Sequence, residues 1–181
     1  MDRLRVMIVD DHEMIVQALV LALGREPDME VVATAHTARD AIVRVAESSP
    51  EVLLIDYRLP DATGADAVRR LARPDLRIVF LSADSSDSAM LAALEVGACG
   101  YLLKSEPLDN LVAAVRRAGE GEILLRAGEL VSLLGRERAR EREEAERQRV
   151  AASLTARERE ILELMAQGLD NRAIADLLHL A

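Results

Sequence analysis

A chain of 181 residues, 50% of them apolar, has enough material for one full hydrophobic core and a small second domain. Its single cysteine, Cys99, excludes an internal disulfide and a multi-cysteine metal site, and no apolar run approaches the ~20 residues of a membrane span. The net charge of −9 is uneven: residues 1–122 carry 21 acidic against 13 basic side chains, which argues against nucleic-acid contact through that part.

Met1-Asp2-Arg3-Leu4-Arg5 leads straight into a strand-like run rather than a signal peptide, so a cytoplasmic protein with no membrane partner is expected. Arg5 to Val9 reads as a first strand ending in Asp10-Asp11, followed by a helix through Ile15, Val16, Leu19, Val20 and Leu23 that Gly24 stops. Val31 to Ala35 is a second strand, and Ala38, Ala41, Ile42, Val45 and Ala46 mark a second helix. Val52-Leu53-Leu54-Ile55-Asp56 is a third strand, apolar on both faces in the manner of a parallel sheet, and Pro60 and Gly64 open the loop after it. A helix through Val68 and Leu71 follows, then a fourth strand from Arg77 to Ser82 and a helix through Leu91, Leu94 and Val96. Gly100 to Lys104 is a short fifth strand, and Leu108, Leu111, Val112 and Val115 mark a fifth helix.

Strand and helix thus alternate five times, which demands a parallel sheet covered by helices on both faces through right-handed crossovers. Pattern alone does not give the strand order. In the order 2-1-3-4-5 a crevice opens between the carboxyl ends of strands one and three, and Asp10, Asp11 and Asp56 converge on it. The expected fold class is therefore α/β, a doubly wound, flavodoxin-like, five-stranded sheet.

From about Gly119 the composition changes. Residues 136–149 are nearly all Arg and Glu, strong helix formers with a Glu143–Arg147 pair at i, i+4. A solvated helical linker is favoured over a dimerising coiled coil, because the heptad seam lacks large apolar residues. Thr155 with Glu158 is a capping box opening a helix through Ile161, Leu162 and Met165, which Gly168 ends; Asn171 can cap a second helix through Ile174, Leu177 and Leu178. These expectations divide the chain into residues 1–121, a charged helical linker over 122–153, and a partial helix-turn-helix segment over 154–181.

Three neighbouring carboxylates raise one another's pKa values, and a divalent cation resolves the conflict. With oxygen donors only, the expected ion is Mg²⁺ or Mn²⁺. Ser82 and Lys104 also stand at strand ends, so a hydroxyl and an ammonium face the same crevice. A carboxylate nucleophile, a cation, a hydroxyl and a lysine together suit phosphoryl transfer to Asp56. Taken singly, the residues have plainer readings: Asp10-Asp11 as a turn and helix cap, Ser82 as a loop hydroxyl, Lys104 as a surface charge, Tyr101 as an edge-strand core residue. His12 is read as a helix-start residue with no catalytic role. The joint placement at four strand ends favours the chemistry. A hydrolase turning over an aspartyl phosphate is disfavoured because Arg58, not a carboxylate, stands two residues after Asp56, and a flavin site is disfavoured by three acids in the crevice.

On Asp10-Asp11, Asp56, Ser82, Tyr101 and Lys104, residues 1 to about 120 resemble the receiver domain of two-component response regulators. The runs 9–12, 56–61 and 100–104 are similar to the subfamily whose output is a LuxR-type helix-turn-helix, and 154–160 and 171–175 resemble the start of that output domain. The resemblance implies a sensor histidine kinase as donor to Asp56, with Mg²⁺ held by Asp10, Asp11, Asp56 and the backbone carbonyl of Arg58. It implies that Ser82 and Tyr101 act as switch residues, that self-phosphorylation and self-dephosphorylation at Asp56 are the only catalysis, and that the outcome is transcription control. A homodimer is allowed. The family's DNA-reading helix follows the point where this sequence stops, so a truncated output is expected, with DNA bound by the complete domain and not specifically by these 181 residues. The alternative is a receiver acting on a partner protein without DNA. Arg58 and Asp84, each two residues beyond a site residue, are expected to pair over the phosphoryl group and hinder attacking water.

Overall fold

The computed structural model describes residues 3–71, 73–124, 127–153, 155–167, 169–170 and 177–178. Their order is β1 (Leu4–Val9), α1 (Glu13–Leu23), β2 (Met29–Ala35), α2 (Ala38–Ser48), β3 (Val52–Asp56), α3 (Gly64–Leu71), β4 (Arg77–Ser82), α4 (Asp87–Glu95), β5 (Gly100–Leu103), α5 (Leu108–Gly119), α6 (Ala127–Ser153) and α7 (Ala156–Ala166). The strands form one sheet in the order β2-β1-β3-β4-β5, and every neighbouring pair is parallel. The order that pattern alone left open is the one that creates a crevice between β1 and β3.

Side chains alternate across each strand, so the two faces feed two cores. On one face, Val16, Leu19 and Leu23 of α1 and Leu111, Val112 and Val115 of α5 cover Val6, Ile8, Leu54 and Val79. On the other, helices α2, α3 and α4 lay mostly small residues, among them Ala38, Ala41, Ala65, Ala89 and Ala93, against Met7, Val9, Leu53, Ile55 and Phe80. All five residues of β3 are buried, which explains its unbroken apolar run.

Helix ends follow local chemistry. Gly24 closes α1 through its N–H to Val20 O at 2.9 Å, in right-handed geometry (φ −67°) rather than a left-handed cap. Thr37 caps α2 by accepting from Asp40 N, and Ser86 caps α4 by accepting from Ala89 N. Helix α4 stops at Glu95, one residue short of the expected Val96, because Gly97 turns left-handed (φ +84°) and the Ala98 N–H closes onto Ala93 O at 3.2 Å.

The chain separates into two compact units, Met1–Leu134 and Gly135–Ala181. In the second, the capping box is present: Thr155 N donates to Glu158 Oε2 at 2.8 Å, and Glu158 N donates to Thr155 Oγ1 at 3.2 Å. Along α6 the Glu143–Arg147 pair is loose at 3.9 Å, and Arg140–Glu144 is closer at 3.0 Å. The expected stop at Gly168 and the second helix capped by Asn171 lie outside the described residues, apart from Leu177 and Leu178.

Candidate functional site

Register brings the acidic residues together. Val9 pairs with Ile55 across β1 and β3, so the residues that follow, Asp10 and Asp56, leave the sheet side by side. Asp56 lies opposite Leu81, and Ser82 opposite Leu103, which places Ser82 and Lys104 at the same rim. Asp10 is fully buried, Asp56 and Ser82 are buried, and Asp11 is exposed. A cavity of about 490 Å³ opens above them, walled by Asp11, His12, Asp56, Arg58, Ser82 and Lys104 among others.

Lys104 holds the buried charges together. Its Nζ lies 2.7 Å from Asp56 Oδ2, as a hydrogen bond, and 2.7 Å from Asp10 Oδ2. Burial opposes the charged form of Lys104, but its contacts with Asp10 and Asp56 outweigh burial and carry its pKa above the ordinary lysine value. Burial likewise pushes the Asp56 carboxyl up, Lys104 and the Arg58 N–H only partly offset this, and the charge of Asp10 adds to the rise. Backbone donors fix both acids: Arg58 N reaches Asp56 Oδ1 at 3.1 Å, and His12 N reaches Asp10 Oδ1 at 2.9 Å.

On the far wall, Ser82 Oγ accepts from Asp84 N at 3.0 Å, and the Tyr101 hydroxyl donates to Asp84 O at 2.7 Å. Burial raises the Tyr101 pKa, so the phenol stays a donor. Arg58 Nη2 and Asp84 Oδ2 meet at 2.7 Å across the mouth, joining the loops after β3 and β4. The backbone N–H of Ser86, then its side-chain hydroxyl and the Arg58 guanidinium, hold the Asp84 carboxyl below its ordinary range.

Beneath the loop after β3 lies a group of three rings. Tyr57 meets Phe80 edge-on at 5.9 Å and Tyr101 at 6.1 Å, with Phe80 and Tyr101 at 6.5 Å. They are the whole aromatic complement of the chain. Gly64 starts α3 directly against them: a Cβ there would stand 2.3 Å from Asp56 O and 2.8 Å from Phe80 Cε1, so only hydrogen fits. Asp61, in the same loop, accepts from Ala38 N at 2.8 Å and Arg39 N at 3.1 Å, pinning the loop to the start of α2.

Two features escaped sequence reasoning. Asp61 caps a helix 23 positions away, a contact with no local signal. His12, expected only to start a helix, does occupy the N-cap of α1, yet its side chain makes no cap hydrogen bond. Its Nδ1 lies 2.7 Å from Asp11 Oδ1 and 3.1 Å from Asp10 Oδ1. The Asp-Asp-His run was the available signal, masked by its ordinary meaning as a helix start.

The residues present fit a divalent ion. One donor atom from each of Asp10, Asp11, His12 and Asp56 lies within 4.8 Å of the others. The fully buried Asp10 Oδ2 has no hydrogen-bond donor, because Lys104 approaches it as a charge but outside hydrogen-bond geometry. A buried, under-satisfied carboxylate oxygen in such a cluster suits a hard cation.

Family models match in two places: "response regulator receiver domain" over residues 6–116 and "bacterial regulatory proteins, luxR family" over residues 152–181. The chain is 39% identical over 98% of its length to 81% of the DNA-binding transcriptional activator DevR/DosR of Mycobacterium tuberculosis. It is 33% identical over 97% of its length to 82% of the transcriptional regulatory protein LiaR of Bacillus subtilis. Among solved structures, the response regulator ChrA of a heme-sensing two-component system is 31% identical, with a TM-score of 0.62 covering 100% of this chain and 84% of that one. The receiver domain of the putative response regulator NarL from Mycobacterium tuberculosis is 31% identical, with a TM-score of 0.63 over 67% of this chain and 100% of that one. No helix among the described residues is long and apolar enough to cross a membrane.

Proposed function

The chain belongs to the response regulators of two-component systems that pair a receiver domain with a LuxR-type helix-turn-helix, and its function is phosphorylation-controlled regulation of transcription; from this premise we propose that Asp56 is the phosphoacceptor. The family is not one of ordinary enzymes: its members interact with sensor kinases and with DNA. We divide the chain into a receiver over 1–121, a helical linker over 122–153 and the LuxR-type segment over 154–181. The observation that carries the reading is the meeting of Asp10, Asp56, Ser82 and Lys104 at one rim of the sheet, with Lys104 Nζ 2.7 Å from both buried carboxylates.

An Asp56 carboxylate oxygen attacks the phosphorus of the kinase's phosphohistidine. The new P–O bond forms as the P–N bond breaks, and the imidazole leaves with the bonding pair. Lys104 neutralises charge on the transferring group without moving far, since it already touches Asp56 Oδ2. Mg²⁺ bound by Asp10, Asp11, Asp56 and the backbone carbonyl of Arg58 would add positive charge at the phosphoryl oxygens. Once the dianion is in place, Ser82 and Lys104 gain a strong acceptor. That competes with the present bonds of Ser82 and, through Asp84, with the Tyr101 hydroxyl. Self-phosphorylation from small donors and self-dephosphorylation are the chemistry expected of the chain alone.

The test is incubation with a small phosphodonor and Mg²⁺, followed by intact mass. One phosphoryl adduct is expected on the parent and none on Asp56→Ala; an adduct that survives the substitution removes Asp56 from the role. We read the Arg58–Asp84 bridge, 2.7 Å across the mouth of the site, as a hindrance to an attacking water. Arg58→Ala is therefore expected to lose the adduct several-fold faster in a chase with donor removed, and an unchanged decay would remove the bridge from that role.

A further inference from the structure

Resting on the reading of Asp10, Asp11 and Asp56 as a metal site, we propose that His12 gives this site a nitrogen ligand, so that it selects a borderline transition ion such as Co²⁺ over Mg²⁺. The imidazole is already in the donor cluster, with a ligand atom within 4.8 Å of one from each of the three aspartates. Its Nδ1 sits between two of them, 2.7 Å from Asp11 Oδ1 and 3.1 Å from Asp10 Oδ1. The side chain is not engaged elsewhere: it makes no cap bond to α1, and at 63% exposed it has room to turn. Asp10 is fully buried at the floor of the cluster, and the close partner of its Oδ2 is the Lys104 ammonium at 2.7 Å.

Ligand chemistry sets the preference. Carboxylate and carbonyl oxygens suit Mg²⁺, which dehydrates reluctantly and gains little from imidazole; first-row transition ions bind nitrogen readily and increasingly from Mn²⁺ to Cu²⁺. As a ligand the imidazole presents the Nδ1 lone pair to the ion and keeps its N–H on Nε2. His36 is excluded from this role. Its Nδ1 bonds Asp10 O at 2.8 Å and its Nε2 meets Glu13 Oε2 at 3.2 Å, so both nitrogens are committed outside the cluster.

The full chain is titrated with Co²⁺ and, separately, with Mg²⁺ by calorimetry, and the Co²⁺-loaded protein is examined by proton NMR. His12→Ala is expected to weaken Co²⁺ binding by at least about tenfold, the low end of what loss of a group supporting a metal centre costs, and to leave Mg²⁺ binding unchanged. A hyperfine-shifted, exchangeable imidazole N–H is expected in the parent and in His36→Ala, and absent from His12→Ala. Equal Co²⁺ binding with no shifted imidazole resonance in any variant would overturn the role of His12 while leaving the aspartates as a metal site. Absence of binding by either ion, or binding that persists in Asp11→Ala and Asp56→Ala, would overturn both readings.

Discussion

Replacing Lys104 with alanine is expected to slow phosphoryl transfer to Asp56 by about 10²- to 10³-fold, the usual loss when one preorganised positive donor is removed from a site of developing negative charge. The same change is expected to destabilise the metal-free protein by about 3 kcal/mol, because it leaves buried carboxylates without their counter-charge. The side chain of Lys104 is 12% exposed, and those of its partners Asp10 and Asp56 are 0% and 5% exposed, so bulk water cannot replace the ammonium. Urea unfolding at neutral pH reads the stability loss, and initial rates of adduct formation by intact mass read the transfer. A divalent ion is expected to restore stability more than rate, since it supplies charge to the aspartates but not the hydrogen bond that Lys104 directs at Asp56 Oδ2.

The pH dependence has a definite sign. Burial raises the Asp56 pKa above its ordinary 3.8 in the folded state, so the folded protein favours the neutral acid. That contributes stability which is complete below pH 3.8 and fades as the pH rises through the higher folded value. In Lys104→Ala the group that opposes the rise is gone. The metal-free variant is therefore expected to lose more stability than the parent between mildly acidic and neutral pH. Equal slopes for the two proteins would mean that Lys104 does not interact with Asp56 in solution.

Phe80→Ala is expected to cost ~3–5 kcal/mol, the range for deleting a buried aromatic ring. Phe80 is fully buried and packs in the centre of β4, against Tyr57 and Tyr101 and beside the position where Gly64 admits no Cβ. Relaxation into the hole is restricted, because Gly64 N is bonded to Tyr57 O at 2.8 Å and Tyr57 N to Leu81 O at 3.0 Å. The effect is to be measured as the shift in urea midpoint at constant slope. A loss below ~1 kcal/mol would mean that the rings repack freely.

The strands were legible because their burial is written in composition: Val52 to Ile55 has no polar residue to place on an exposed face, and β3 has none. Charged or hydroxyl residues at the ends of such runs marked Asp10, Asp56, Ser82 and Lys104. Their convergence depended on strand order, which local pattern does not encode and register does. What stayed hidden was either non-local or ambiguous in type. The cap of α2 by Asp61 joins segments far apart in the chain, and Lys104 proved to be a clamp on Asp10 as well as on Asp56. His12 carried two meanings at once, and only the third dimension separates a residue that starts a helix from one that also turns its ring onto two carboxylates.

The three rings at the base of the site have a consequence for observation. With two tyrosines, one phenylalanine and no tryptophan in the chain, near-ultraviolet absorption and emission arise from side chains packed together beside Asp56. Tyr101 is tied through Asp84 to the loop that carries the bonded Ser82 hydroxyl, and Tyr57 is the next residue after Asp56. The protein thus carries its own optical probe: without any label, its spectrum reports the neighbourhood of the phosphoacceptor and little else.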